Sequence, residues 1–211
     1  MIQVTQNPSI TVNIPPEVNL NLDRSHFIKL AQANRDLRLE RTATGELIIR
    51  PPTGSDTGSK NADLIGQLWL WNRQQQRGVV FDSSSGFHLP NGSDRSPDAA
   101  WIQQERWDRL SEAQKQGFAP ICPDFVVELR SPTDNLTPLQ AKMREYRENG
   151  SRLGWLINRR DRTVEIYPKK LGLKPRPVLP SYKVRLSCRA TRCAFRRRGV
   201  STLSAARGLG A

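Results

Sequence analysis

No apolar run in these 211 residues approaches the roughly 20 needed to cross a bilayer, so the sequence contains no membrane-spanning helix. Histidine and cysteine are scarce. His26 and His88 stand alone, and Cys122, Cys188 and Cys193 form no CxxC pair, which excludes zinc-site spacing and argues against a disulfide framework. A catalytic metal would therefore be held by carboxylate oxygens, the donors preferred by hard ions such as Mg2+ or Mn2+. The opening stretch MIQVTQNPSITVNIPP has neither the basic start nor the apolar core of a secretion signal, and the expected compartment is the cytoplasm. Acidic residues are missing altogether from 168–211, where twelve Lys and Arg supply nearly all of the net charge of +13. The rest of the chain is close to neutral, so the nucleic-acid signal that a basic protein usually carries belongs to its tail and not to its body.

The chain is long enough for one domain with a substantial core. Residues 1–20, rich in Pro, Asn and Val, read as a flexible lead-in. A short helix is expected from Leu22 or Asp23, with Phe27, Ile28, Leu30 and Ala31 on its apolar side. LRLERTATGELIIR at 37–50 alternates about a Thr-Gly turn and reads as a hairpin, followed by a Pro/Gly/Ser loop, PPTGSDTGSK. Apolar positions from Lys60 to Gln76 recur at helical spacing, with Gly78 as the stop. GVVFDSSSGFHLPNG reads as strand, turn and strand, SPDAAWI as a short strand, and 103–118 as a polar excursion with one short helix. FVVEL at 125–129 is a strand, Thr137 to Glu148 a helix, and LGWLIN with TVEIY a second hairpin. The sum is an α/β or α+β domain with a mixed central sheet flanked by helices.

Two acids interrupt apolar strand patterns: Asp98 immediately before AAWI, and Glu128 inside FVVEL. Both could face solvent on alternating strands. Alternatively, neighbouring strands could set the two carboxylates side by side, where a divalent cation relieves their repulsion. Such an ion lowers the pKa of a bound water and stabilises charge developing on a phosphate, and a nearby lysine adds positive charge in the transition state. Asp, Glu and Lys are thus a set suited to phosphodiester hydrolysis.

SPDAAWI, then CPDFVVELRSPTD, LQAKMREYRENG and LGWLINRRDRTVEIY, taken in that order, resemble the Uma-type family of putative restriction endonucleases in the PD-(D/E)xK nuclease superfamily. The resemblance spans roughly residues 20–167 and lies in the ordered set of blocks more than in any single motif. It implies a restriction-endonuclease-like fold and a Mg2+-dependent (or Mn2+-dependent) endonuclease acting on DNA, with a homodimer as one possible assembly. Carried over position by position, it makes Asp98 and Glu128 metal ligands and Lys142, in QAKMREY, the catalytic lysine. Arg130 occupies the superfamily's usual lysine position and is the runner-up; it could stabilise charge but not act as a base. For a fourth acid the resemblance points to Asp56, then Glu46, while Glu40, Glu145 and Glu148 are expected on solvated faces. Tyr146, Cys122 and the tryptophans Trp69, Trp71, Trp101 and Trp155 are assigned to packing, and His26 and His88 to structural or surface roles. The tail 168–211 departs from the family pattern. A frameshift would account for its abrupt change of charge, and a basic nucleic-acid-binding arm is the alternative.

Overall fold

The computed structural model describes residues 20–169 in full and the backbone of 176–178, 188–189 and 192–193. Residues 1–19 of the lead-in expected at 1–20, and most of the tail from 170 onward, lie outside the described residues. The core is a six-stranded sheet in the order β10-β9-β8-β7-β6-β3, built from β3 (Gly78–Phe81), β6 (Ala99–Gln103), β7 (Phe125–Arg130), β8 (Leu153–Asn158), β9 (Thr163–Pro168) and β10 (Arg176–Val178). Only β7 and β8 pair in parallel, joined by helix α5 (Leu136–Glu148), so the sheet is mixed. A second sheet, β2-β1-β5-β4, contains the hairpin β1 (Arg38–Arg41) and β2 (Leu47–Arg50), then β5 (Asp94–Arg95) and β4 (Phe87–His88). The short strands β11 (Cys188–Arg189) and β12 (Arg192–Cys193) pair with each other.

Helices cover both faces of the six-stranded sheet. On one, Leu139, Met143 and Tyr146 of α5 bury themselves against Ala100, Ile102, Val126, Leu156 and Tyr167. On the other, Leu68 of the 21-residue helix α2 (Ser55–Gln75) meets Ala99, Phe125 and Val127. This two-sided cover explains why FVVEL shows an almost unbroken apolar run: a central strand with a parallel neighbour is buried on both faces. Gly154 in β8 lies beneath Met143, whose methyl group occupies the space a Cβ would need, and this lets α5 settle close to the sheet.

Most sequence expectations match the structure, with local corrections. Helix α1 (Arg24–Ala33) is capped by Asp23, whose carboxylate accepts from the His26 amide. Helix α2 starts at Ser55, inside the expected PPTGSDTGSK loop, because the helix-breaking Pro51-Pro52-Thr53-Gly54 run ends there and Asp56 favours a first turn. Gly78 opens β3 instead of stopping α2, which ends on Gln76 in the left-handed conformation. The 103–118 excursion holds two short helices, α3 (Gln104–Asp108) and α4 (Glu112–Lys115), the latter with a Ser111–Gln114 capping box. Trp69 is exposed on α2 with Arg73 stacked over it, in place of the expected core position. His88, expected without a partner, is bound through Nδ1 to Asp94 at 2.8 Å.

Candidate active site

The antiparallel register of β6 and β7 pairs Ala99 with Val127 and Ala100 with Val126, and one further step sets Asp98 opposite Glu128. Side chains alternate along a strand, so both acids share the α5 face with Ala100 and Val126. The Leu129 amide donates to Asp98 Oδ2 at 2.8 Å, fixing that carboxylate against β7. Lys142 projects from α5 toward the same place. Its Nζ lies 2.8 Å from Glu128 Oε1, 2.7 Å from Glu40 Oε1 and 3.0 Å from the Ser96 carbonyl. Glu128, Glu40 and Lys142 are 4%, 1% and 5% exposed, so a lysine and two glutamates are removed from water together. The Tyr146 hydroxyl, one turn after Lys142, donates to Glu128 Oε1 at 3.3 Å.

Glu40 corrects the expectation of a solvated face. It sits on β1, 102 positions before Lys142, and accepts also from Arg95 Nη1 at 3.3 Å and from the Ser96 amide at 3.4 Å. Arg95 in turn holds Glu145 Oε2 at 2.7 Å, so Glu145 is likewise tied down, whereas Glu148 stays exposed. The two glutamates on Lys142 are driven apart electrostatically. Burial opposes the ionisation of Glu40, but the charges of Lys142, Arg50 and Arg95 outweigh it and hold that carboxyl below its ordinary range. At Glu128 burial dominates; Lys142 pulls downward, Asp98 and Glu40 push upward, and the carboxyl is pushed up to about 7. Two carboxyls with separated affinities for protons around one lysine are the kind of arrangement found where acid–base chemistry is done.

The other nominated residues lie elsewhere. Asp56, in the first turn of α2, is 68% exposed and bonded to Arg159 at 2.7 Å, which lowers its pKa. Glu46 ends the β1–β2 turn, bridged to Asn21. Arg130 is directed to the Asp134 carbonyl and the Asn158 side chain. Cys122 is buried, and burial pushes its thiol up to about 12.

Among the described residues no group of three or more His, Cys, Asp or Glu is arranged to hold a metal ion. The donor set that does exist is the adjacent pair Asp98 and Glu128. It fits a hard cation of the Mg2+ type, which keeps several waters and needs only one or two carboxylates. The point in its favour is the chemistry of the donors: two oxygen-donor carboxylates on paired strands repel each other, and added positive charge relieves that repulsion.

The fold brings together Asp98, Glu128 and Lys142, the residues nominated from the sequence, and adds Glu40, which the sequence placed on a solvated face. The signal available for Glu40 was weak: an acid between Leu39 and Arg41 in a hairpin that looked amphipathic.

A family profile described as a putative restriction endonuclease matches residues 24–192. Among solved structures, a putative nuclease from Anabaena variabilis shares the fold at 18% identity and a TM-score of 0.56, over 66% of this chain and 75% of that one. No curated protein matches the chain. No helix among the described residues is long and apolar enough to cross a membrane.

Proposed function

The chain belongs to the Uma2 family of putative restriction endonucleases, and from that premise we propose that it is a metal-dependent endonuclease that hydrolyses DNA phosphodiester bonds in the cytoplasm. The observation that carries the reading is Lys142 set between Glu128 and Glu40, with Asp98 opposite Glu128 on the neighbouring strand. Asp98 and Glu128 would hold Mg2+ or Mn2+, which supplies a water of lowered pKa and positive charge against the phosphate. The protein's own residues do the positioning. The Leu129 amide orients Asp98, and Tyr146 and Lys142 orient Glu128 Oε1. Lys142 Nζ brings a cation to the edge of that pair, where it offsets charge on the attacking or leaving oxygen. Glu40 and the Ser96 carbonyl hold Nζ in place, and Arg38, 3.5 Å from Asp98, adds a second cation beside the phosphate position. A homodimer would present two such sites to the two strands of a duplex.

A second reading, nucleic-acid or partner binding without cleavage, draws on one observation: Glu40, Glu128 and Ser96 take up all three Nζ donors of Lys142. Calorimetric titration with Mg2+ and Mn2+, followed by plasmid cleavage on the same samples, separates the two. The nuclease reading expects metal binding and nicking that disappear in both Asp98→Ala and Glu128→Ala. DNA binding without cutting by the wild type, unchanged in those variants, would establish the second.

A further inference from the structure

A cavity of about 500 Å3 opens between the β1–β2 hairpin and α5, with Lys142 among its lining residues. Its size lies within the range of small-molecule sites, roughly 300–1,000 Å3. Its walls divide by chemistry. Ile48 on the hairpin and Pro138 with Ala141 on α5 are apolar, while Arg50 and Arg144 stand on opposite sides of it. Glu145 and Glu148 also line it, and Glu145 is paired with Arg95.

The arginines around this opening have long ion pairs or, at Arg144, none among the described residues. In the hairpin register Arg38 lies directly opposite Arg50, on the face that also carries Glu40 and Ile48. Like charges directly opposed across antiparallel strands repel, and a shared anion removes the penalty. Their ion pairs are long: Asp98 lies 3.5 Å from Arg38 and Asp134 4.0 Å from Arg50, while the charge of Arg50 also acts on the buried Glu40. Arg38 Nε is buried with no hydrogen-bond acceptor, a cost that a bound oxygen would relieve. Arg144 is exposed, and no acid of the described residues lies within ion-pairing distance of it. Arg38 touches Asp98 while Arg50 lines the cavity, so the pair spans the interval between the carboxylate site and the pocket.

We propose that this cavity is a nucleotide subsite. Phosphate groups flanking the cleaved bond lie on the Arg38–Arg50 pair and on Arg144, and one base or sugar rests against Ile48, Pro138 and Ala141. The occupant is a strand of nucleic acid, an identification that rests on the nuclease reading above. The arginine fork suits phosphate oxygens, and the apolar walls suit the flat face or sugar of any nucleotide, so the subsite positions the strand without reading its sequence.

The test uses the full chain, a short fluorescein-labelled DNA oligonucleotide and fluorescence anisotropy in EDTA across a salt series. Arg50→Ala and Arg144→Ala should each weaken binding and lower the slope of log K against log salt by about 1, the signature of one lost phosphate contact. Ala141→Trp, which fills the cavity without changing charge, should raise Kd roughly tenfold, the loss of one good contact, with the slope unchanged. Arg73→Ala, on α2 across the sheet, should bind like the wild type. Melting temperatures close to wild type confirm that the variants are folded. Wild-type affinity and slope in Arg50→Ala, Arg144→Ala and Ala141→Trp overturn the subsite, as does a wild type that does not bind DNA. Cleavage that persists while these variants bind normally removes the subsite and leaves the nuclease reading standing. Normal losses in the variants with no cleavage by the wild type do the reverse.

Discussion

Replacing Glu128 with Gln should make the protein more stable at neutral and alkaline pH while abolishing activity. Glutamine preserves the shape of the side chain and removes the charge, so it approximates the protonated acid. The native carboxyl is pushed from an ordinary 4.5 up to about 7, chiefly by burial, so folding disfavours its ionised form. A folded-state pKa above the unfolded one gives a stabilising contribution that is complete below about pH 4.5 and is lost as pH rises through about 7. The displacement corresponds to about 3 kcal/mol at full ionisation. For a protein of this size that is roughly 6–12 °C in Tm. Thermal melts of wild type and Glu128→Gln in EDTA, from pH 5 to 8.5, should therefore nearly coincide at the acid end and separate as pH rises, with the variant higher. Adding Mg2+ at about pH 8 should raise the wild type alone, since in the proposed site the ionised carboxylate would be the ligand. Coincident melts over the whole range, or a wild type more stable than the variant at pH 8, would refute the reasoning.

Lys142→Met leaves Glu40 and Glu128 without their shared ammonium and should cost about 3–5 kcal/mol in urea unfolding. Adding Glu40→Gln should recover part of that loss, and strictly additive effects would contradict the coupling. Asp56→Ala should leave Mg2+ affinity and Tm indistinguishable from wild type, because that acid is exposed and engaged with Arg159; a drop in metal affinity by calorimetry would place it in the site after all. In a chain carrying Cys188→Ser and Cys193→Ser, Cys122 should resist a thiol reagent at about pH 8 until the protein is unfolded. Rapid labelling of the native state would contradict its burial and raised pKa.

What the sequence disclosed and what it hid follow one physical division. Glu128 was legible because an acid inside FVVEL breaks a pattern of burial on both faces, and Asp98 because it immediately precedes another apolar strand. Lys142 was legible only by resemblance, since a lysine on an amphipathic helix ordinarily faces water. Glu40 was illegible because nothing local distinguishes it; its burial comes from α5 and from the loop after β5, which are distant in sequence. The same holds for Asp94, buried among Arg41, Arg24 and His88, and for Asp124, held by Arg106 and Arg152. Periodicity reports which face of an element is apolar. It does not report which polar group on that face will meet a partner from another part of the chain. The start of helix α2 was hidden because the Pro/Gly/Ser run resembles a loop throughout, although only Pro51 to Gly54 lie before the helix.

The 102 positions between Glu40 and Lys142 also bear on when the site comes into being. Glu128 and Lys142 belong to one strand–helix–strand unit and can meet as soon as that unit forms. Closing the much longer loop to the hairpin costs more chain entropy and is expected to come later. A chain whose hairpin has not docked would hold its acid and lysine near each other with neither Glu40 nor the hairpin arginines in place. In the proposed nuclease, competence for chemistry would thereby be tied to completion of folding, because a chain with its hairpin undocked lacks Glu40 beside Lys142.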